Sequence, residues 1–502
     1  MNPSAPEPST LGARIGLCGV LAAYAVILII LIGAVPGGSD NSGYFNEARL
    51  LSHGTIHAPM RTLGAVPARE MPYLYTPLGM KPARGRDGVL VPTYPPGLPL
   101  LMVPAARAIG WEHAGDLVLI LHSLAGIALA YALGRSVRLS GIWSLVGAMI
   151  LAASPLYLFN SLQALSDVPA TVWATASVVA ALRSREKPVW ALVSGLCFAV
   201  GFLVRPSNAL VALPVLVAVG ISPVRLGLLA LGSLPGVAAW MAVNTIAYGL
   251  PLESGYGEIG VEFHKALVWP TLHYYARWLP LLLSPVILIS PAVLAFARAR
   301  PRIVALLALW PLAFLAFYCP YRWTHEQWWF LRFVLPAAPA MIVGGLLAVS
   351  LWLEGLKERY TVPWSGILPA LVLFAAVAVE ASQRGPLRET RWVGHGEMKY
   401  GRVATWLTSH LPKDAVIVAS QSSGALFYYT DFTILRHDEM TPEISERVRA
   451  SAKATGRSLY AVLWPFEIEA LKRIKGEWTK VGTIDDVTVW GLEPSGPAKA
   501  AP

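Results

Sequence analysis

The sequence predicts an α-helical polytopic membrane protein of about eleven transmembrane helices, followed by a small C-terminal α/β domain. Charged residues make up only 14% of the chain and apolar residues 55%, whereas roughly a quarter of a soluble protein is charged. Apolar runs of about 16 to 25 residues, enough to cross roughly 30 Å of hydrocarbon, recur as far as residue 381. Beyond that point the composition becomes that of a soluble domain.

The apolar runs set the predicted spans. The first run has many successors, so we expect a retained anchor rather than a cleaved signal peptide. The spans are predicted near residues 14–34, 116–137, 141–160, 167–182, 189–204, 206–221, 225–247, 277–297, 302–319, 331–353 and 363–381. The transmembrane domain then comprises residues 1–381, with a first outer loop at 35–115.

Short basic loops predict the orientation. Cytoplasmic loops of membrane proteins carry an excess of Lys and Arg, and every second turn of this chain does so. These cations are Arg135 and Arg138, then Arg183, Arg185 and Lys187, then Arg225, then Arg298, Arg300 and Arg302, then Lys357 and Arg359. We therefore expect a cytoplasmic N-terminus and an extracytoplasmic C-terminal domain, in the cell (inner) membrane. Topology and contact with lipid headgroups explain the net charge of +10, so no nucleic-acid partner is predicted.

The predicted C-terminal domain covers residues 382–493. Its apolar runs at 415–418 and 459–463 indicate buried strands, and helical spacing occurs at 400–410, 442–454 and 465–475. The stretch from Val487 to Trp490 alternates like an edge strand, and residues 494–502 are predicted to be a disordered tail. Cys18, Cys197 and Cys319 lie in or beside apolar runs and imply no disulfide.

Two aspartates at span boundaries are candidate catalytic residues. Asp40 follows the first span and precedes a helical stretch, and Asp167 begins the fourth span. Either carboxylate can be explained as a helix N-cap. Both are expected on the same face of the membrane, where Asp40 is placed to act as a general base towards an acceptor hydroxyl.

Cations on the same face are candidate ligands for a phosphate. Arg205 interrupts an apolar stretch on the predicted outer side, where the positive-inside bias does not favour it; a snorkelling arginine is the alternative. Lys81, Arg84 and Arg86 lie nearest the return of the first loop through Pro95 and Pro96. The segment 318–332 is rich in aromatics, as an interfacial belt would be, and its Arg322 and Arg332 are further candidates.

The order of these motifs resembles the GT-C superfamily of membrane glycosyltransferases. The likeness is to the protein O-mannosyltransferases and to the bacterial transferases that add aminoarabinose to lipid A. It covers residues 14–350. The matching motifs are Asp40 with Tyr44, Pro95-Pro96, the basic end of the second span at Arg135 and Arg138, Asp167, Leu203-Val204-Arg205-Pro206, Asn244 with Tyr248 and Tyr256, and Arg332-Phe333-Val334-Leu335-Pro336.

The resemblance implies a sugar donor carried on a polyprenyl phosphate. Asp40 would deprotonate the acceptor, and Asp167 would help to place it. Relatives often have an acidic residue after the first aspartate and a Lys or His before the Pro-Pro step, where this chain has Asn41 and Tyr94. A cation elsewhere in the chain is therefore expected to hold the phosphate. The predicted substrate- or phosphate-binding residues are Arg205, Lys81, Arg84, Arg86, Tyr44, Tyr94 and Arg332.

The sequence thus predicts an inverting glycosyltransferase that moves a hexosyl or pentosyl group from a polyprenyl-phosphate carrier to a lipid, glycan or protein acceptor. Two alternatives stay open: a transporter or flippase for a lipid-linked substrate, and a non-catalytic membrane scaffold. No metal-ligand spacing, Walker loop or dinucleotide fingerprint occurs. A divalent-cation requirement stays open, so the cofactor is unknown.

Overall fold

A computed structural model describes residues 9–64, 66–257, 259–357, 367–474 and 476–492. Within them the α-helices are α1 (Ser9–Leu31), α2 (Ser39–Ser52), α3 (Gly97–Ile109), α4 (Trp111–Ser136), α5 (Gly141–Ala153), α6 (Pro155–Ser161), α7 (Asp167–Arg183), α8 (Val189–Val204), α9 (Ala212–Val219), α10 (Pro223–Tyr248), α11 (Val268–Leu282), α12 (Pro301–Tyr318), α13 (Ala338–Lys357), α14 (Leu368–Ala381), α15 (Arg384–His410), α16 (Ser423–Tyr429) and α17 (Pro442–Ala454).

The strands are short and belong to two sheets. They are β1 (Ala58–Pro59), β2 (Met80–Pro82), β3 (Val89–Pro92), β4 (Val416–Val418), β5 (Thr433–Leu435), β6 (Leu459–Leu463), β7 (Trp478–Ile484) and β8 (Val487–Leu492). Strands β1, β3 and β2 form an antiparallel sheet in that order. The other sheet has the order β5-β4-β6-β8-β7, parallel from β5 to β6 and antiparallel from β6 to β7.

Helical structure lies at every predicted span. Five helical segments are long and apolar enough to cross a membrane, and two bent pairs would bring the number to seven, counted over the described residues. The predicted spans at 189–204, 206–221 and 363–381 fall on shorter apolar helices. Residues 363–366 of the last span, and the predicted tail at 494–502, lie outside the described residues.

The bend between α5 and α6 has a local cause. Ser154 accepts a hydrogen bond from the backbone N–H of Tyr157 at 3.2 Å, and Pro155 takes the first position of α6. A capping hydroxyl followed by proline ends one helix and starts the next in a new direction. The two helices meet at 62°.

The chain divides into two compact units. The first comprises residues 1–32, 117–240 and 258–393, and the second comprises 33–116, 241–257 and 394–502. In the first unit, α7 and α8 form a hairpin in which Ser177 and Ser194 each donate a side-chain hydrogen bond to the other's carbonyl, at 2.9 and 2.8 Å. This hairpin places the start of α7 beside the end of α8.

The second unit buries both faces of its larger sheet. On β4, Val416 and Val418 pack into one core together with Leu63 and Leu90, whereas Ile417 packs into the opposite core against α15 and α16. Successive residues of a strand point to opposite faces, so a short strand of three apolar residues serves both cores. The predicted first outer loop therefore contributes to the same core as the sheet; the predicted domain boundary at 381/382 stays a prediction.

One expectation for the C-terminal region was wrong, and two elements of the second unit were not predicted. The stretch from Val487 to Trp490 is not an edge strand, because β8 pairs with β6 on one side and with β7 on the other. Strand β7 has few apolar residues and was not predicted. The predicted loop also contains α3, an apolar helix of 13 residues, which is too short to be read as a span.

Candidate active site

Asp167 lies between two arginines in the first unit. It is the first residue of α7, with Ser166 as the N-cap and Pro169 in the first turn. Its Oδ1 accepts a hydrogen bond from Nη1 of Arg205, and its Oδ2 lies 3.7 Å from Nη1 of Arg332. The Asp167 side chain is 1% exposed. A carboxylate at this depth needs such partners, because burial of an unpaired charge is costly.

Local backbone structure brings Arg205 to this position. Arg205 is the C-cap of α8 in extended conformation, and Pro206 follows it and starts a 3-10 helix, Pro206–Val211. Asn208 in that turn donates a hydrogen bond to the carbonyl oxygen of Ala170 at 2.9 Å. The turn after α8 is thus tied to the first turn of α7, which aims the guanidinium of Arg205 at Asp167.

Aromatic rings lie beside the two guanidinium groups. Those of Arg205 and Arg332 lie 5.2 and 5.4 Å from the ring centre of Phe333, and that of Arg332 lies 5.7 Å from the ring centre of Phe330. Distances under about 6 Å favour a cation near an aromatic ring. The side chains of Arg205 and Arg332 remain 14% and 15% exposed. Two guanidinium groups therefore lie within ion-pair distance of one carboxylate.

Other aromatic side chains of the segment 318–332 have structural partners. The indole N–H of Trp328 donates to Glu389 at 2.6 Å, and that of Trp323 donates to Glu262 at 3.1 Å. Arg322 forms an ion pair with the same Glu262 at 3.5 Å. These contacts account for Trp328, Trp323 and Arg322 without a ligand.

Asp40 lies in the second unit, in the first turn of α2. The N-cap of this helix is Gly38, so the alternative in which Asp40 is the N-cap residue is wrong. Oδ1 of Asp40 accepts a hydrogen bond of 2.7 Å from the hydroxyl of Tyr94, which also lies 3.2 Å from the hydroxyl of Ser39. Burial and the negative charge of Asp40 raise the pKa of Tyr94 well above its usual value. Tyr94 therefore stays protonated, and its hydroxyl donates a hydrogen bond to the Asp40 carboxylate.

Tyr94 is held in place by other aromatic rings. Its ring centre lies 4.9 Å from that of Tyr44 and 6.2 Å from that of Tyr256. Gly43 permits this packing, because a Cβ at that position would overlap the Tyr94 ring. Tyr94, directly before the Pro-Pro step, is thus packed against the helix that carries Asp40.

Glu397, on α15, is a functional candidate that was not predicted from the sequence. Its Oε2 accepts hydrogen bonds from the backbone N–H of Gly38 and from Nδ2 of Asn41, both at 2.7 Å. The pKa of Glu397 is raised to about 7: burial raises it most, the two hydrogen bonds lower it, and the charge of Asp40 raises it. No sequence signal marks this residue, because it is one of two acidic residues of an amphipathic helix and lies more than 350 positions from Asn41.

The loop cations predicted to bind phosphate occupy separate places in the second unit. Arg84 forms an ion pair with Glu253 at 3.0 Å, and Arg86 lies 3.2 Å from the imidazole of His57. Lys81 lies on β2, where burial lowers the pKa of its ammonium group and the charge of Glu253 raises it. Their role as phosphate ligands stays a prediction, as does the convergence of Asp40 and Asp167 on one substrate.

No metal site stands out. In the part of the chain that the structure describes, no three or more His, Cys, Asp or Glu side chains are grouped so that they could hold a metal ion. Carboxylates and imidazoles are the usual ligands of divalent cations. The residues around Asp40 and Asp167 instead pair with arginine, tyrosine and amide donors.

Comparisons with known proteins identify the fold. Residues 110–246 match the family described as dolichyl-phosphate-mannose-protein mannosyltransferase. No curated protein matches the sequence significantly. The structure resembles ArnT from Cupriavidus metallidurans bound to undecaprenyl phosphate, with a TM-score of 0.57 and 14% identity over 97% of this chain and 99% of ArnT. For ArnT in the apo state the TM-score is 0.60 and the identity 15%, over 97% of this chain and 100% of ArnT.

A third likeness is to the oligosaccharyltransferase of Archaeoglobus fulgidus in the apo form, with a TM-score of 0.52 and 12% identity over 90% of this chain and 70% of that one. At such identities the likeness concerns the fold. The predicted fold class and the predicted resemblance are both confirmed: this chain is a multi-pass membrane protein with the GT-C fold, matched over residues 110–246 by the dolichyl-phosphate-mannose-protein mannosyltransferase family.

Proposed function

We propose that this protein is an inverting glycosyltransferase that takes a sugar from a polyprenyl-phosphate carrier and transfers it to a lipid, glycan or protein acceptor at the outer face of the cytoplasmic membrane. The observation that carries the proposal is the pair of guanidinium groups gathered on one carboxylate, Arg205 and Arg332 on Asp167. The family match and the fold shared with a protein that binds undecaprenyl phosphate support it.

Arg205 and Arg332 would hold the phosphate of the carrier. Both side chains contact the same carboxylate and remain partly exposed. Guanidinium groups bind phosphate oxygens through paired N–H donors and stay charged at every physiological pH. Asp167 then acts through the arginines: it positions both guanidinium groups and limits their mutual repulsion.

Asp40 would act as the general base. The acceptor hydroxyl attacks the anomeric carbon of the donor sugar on the side opposite the phosphate. Its oxygen forms the new bond to carbon, its proton passes to the Asp40 carboxylate, and the bond from carbon to the phosphate oxygen breaks. The bonding electrons leave with the polyprenyl phosphate, whose charge the arginines stabilise. Attack from the opposite side inverts the configuration at carbon.

The hydrogen bond from Tyr94 suits Asp40 to this task. It fixes one carboxylate oxygen at 2.7 Å, and a carboxylate retains lone pairs for a second donor. A base is effective only when it lies within hydrogen-bond reach of the proton that it takes. The orientation of Asp40 by its neighbours is therefore part of the proposed mechanism.

The test is sugar transfer by the purified protein in lipid vesicles, with radiolabelled polyprenyl-phosphate sugars and a membrane extract as the source of acceptor. Asp40→Asn should abolish transfer, while Asp87→Asn, which removes a carboxylate from an exposed loop position, should leave it unchanged. Equal transfer by the wild type and Asp40→Asn would refute the role of Asp40. Movement of intact donor across the vesicle without transfer would favour a flippase.

A further inference from the structure

Glu397 occupies the position of a helix-capping residue for α2, although it lies on a different helix. The backbone N–H of an N-cap residue has no partner within its own helix, and in a capping box a Glu or Gln three residues further on accepts it. The N-cap here is Gly38, and the residue three positions on is Asn41. The side-chain amide of Asn41 carries no charge, so it could not supply the negative charge that stabilises a helix N-terminus.

The carboxylate instead comes from α15. Oε2 of Glu397 accepts both the N–H of Gly38 and the side-chain amide of Asn41, each at 2.7 Å. Glu397 thus accepts the backbone N–H that a glutamate at position 41 would accept in a capping box, and the amide of Asn41 holds the Glu397 carboxylate in that place. Asp40 lies between Gly38 and Asn41 in the sequence, so Glu397 holds the chain on both sides of Asp40.

We propose that Glu397 is the positioning residue of Asp40: by capping α2 from outside the helix, it fixes the turn from which the Asp40 carboxylate meets the hydroxyl of Tyr94. This inference rests on the proposed role of Asp40 as the base. Glu397 does not touch the reacting atoms; it acts through the backbone of Gly38 and the side chain of Asn41.

The surroundings of Glu397 support this role. Tyr400, one turn further along α15, accepts a hydrogen bond from the side-chain amide of Gln421 at 2.8 Å, and the backbone N–H of Gln421 donates to Glu467 at 2.8 Å. Glu467 in turn lies 3.0 Å from His437. Hydrogen-bonded side chains that follow β4, β5 and β6 therefore fix α15 at Tyr400, one turn from the capping carboxylate.

The ionisation of Glu397 gives the proposal a distinctive readout. The titratable groups that face it are Asp40 on α2, Tyr400 on α15 and Tyr429 on α16. The pKa of Glu397 is raised to about 7, so the acceptor of both hydrogen bonds gains its charge as the pH rises through neutrality. We expect kcat to rise over the same interval.

The experiment compares four proteins in the transfer assay over a range of pH: wild type, Glu397→Ala, Glu397→Gln, and the double variant Asn41→Glu with Glu397→Ala. Glu397→Ala loses both hydrogen bonds and should lower kcat by about 100-fold, the scale on which a misplaced catalytic group acts. The KM for the polyprenyl-phosphate donor should change little. Glu397→Gln keeps an acceptor without the charge, so it should lose about tenfold and lack the rise near neutral pH. The double variant restores a carboxylate within α2 and should recover most of the activity.

The outcomes separate this inference from the proposed function. If Asp40→Asn is inactive while Glu397→Ala keeps wild-type kcat and pH profile, Glu397 has no positioning role and the base assignment stands. If Asp40→Asn is fully active, the proposed base is wrong whatever Glu397 does. Thermal unfolding shows whether Glu397→Ala folds; if it does not, a Glu397→Gln protein with the wild-type pH profile overturns the inference. Glu477→Gln, at an exposed position, is the matched control for loss of a carboxylate.

Discussion

The hydroxyl of Tyr94 donates a 2.7 Å hydrogen bond to Oδ1 of Asp40, and so joins the residue before the Pro-Pro step to the first turn of α2. The two residues lie 54 positions apart in the sequence. Tyr94 supplies a neutral donor, which orients the carboxylate without neutralising it.

Removal of this hydroxyl should slow the reaction without preventing folding. We expect Tyr94→Phe to lower kcat by about tenfold, because hydrogen bonds to charged groups contribute about 1.5–3 kcal/mol and the lost donor loosens the base. The ring would keep its packing against Tyr44 and Tyr256. The measurement is the initial rate of sugar transfer at saturating donor. Tyr73→Phe, at a position that is 53% exposed, is the control and should show the wild-type rate.

The raised pKa of Glu397 predicts a pH dependence of stability. The usual pKa of a glutamate is 4.5, and here it is about 7, so between these values the folded protein binds more protons than the unfolded chain does. The free energy of unfolding therefore falls as the pH rises from about 4.5 to 7, and this contribution is constant above that.

Glu397→Gln should lack this contribution. The measurement is the difference in melting temperature between the wild type and Glu397→Gln, both in detergent. This difference should shift against the wild type between pH 5 and pH 7 and stay constant by pH 8. An identical pH dependence in the two proteins would show that the carboxyl group titrates normally. A decrease in relative stability alongside an increase in activity over the same interval would mark a group whose charge costs stability and serves function.

The sequence singles out individual charged residues but does not indicate their pairings. Asp167 and Arg205 were each recognised by an unusual charge at the end of a span, but their contact depends on how α7 and α8 pack. Glu397 could not be recognised, because a carboxylate on a polar helix face looks solvated until its partners are known. The helix α3 was missed because a helix of 13 residues is too short to span a membrane, and β7 was missed because its exposed residues give no apolar pattern.

Close helix packing in the first unit predicts that alanine substitutions of two glycines, Gly195 and Gly227, will affect stability differently. A Cβ at Gly195 on α8 would overlap the carbonyl oxygen of Leu229 on α10, whereas a Cβ at Gly227 on α10 meets open space. Small residues let membrane helices approach closely. Gly195→Ala should therefore lower the melting temperature by several degrees, about the effect of 1–3 kcal/mol of overpacking in a large domain.

Gly227→Ala is the matched control, since alanine is the better helix former by about 1 kcal/mol. Its melting temperature should equal or exceed that of the wild type. A similar decrease in both variants would mean that the two helices do not pack closely at Gly195. Activity at a temperature well below both transitions should be retained, because neither glycine touches Asp167 or Arg205.

Asp167→Asn should separate the structural and binding roles of the arginine cluster. Loss of the carboxylate leaves two largely buried guanidinium groups facing each other, and removal of one partner from a buried ion pair costs about 3–5 kcal/mol. The variant should melt well below the wild type. A bound anion would replace the lost charge, so added polyprenyl phosphate should raise the melting temperature of Asp167→Asn by more than that of the wild type.

Arg332→Lys tests the same cluster from the other side. Lysine keeps the charge but not the paired N–H donors of the guanidinium group, and Asp167 keeps its hydrogen bond to Arg205. We therefore expect a protein of near wild-type stability whose KM for the polyprenyl-phosphate donor is raised by about tenfold, the value of one charge-assisted hydrogen bond. Arg69→Lys, at an exposed position, should leave this KM unchanged. An unaltered donor KM in Arg332→Lys, together with reduced stability, would mean that the arginine serves Asp167 alone and that the phosphate binds elsewhere.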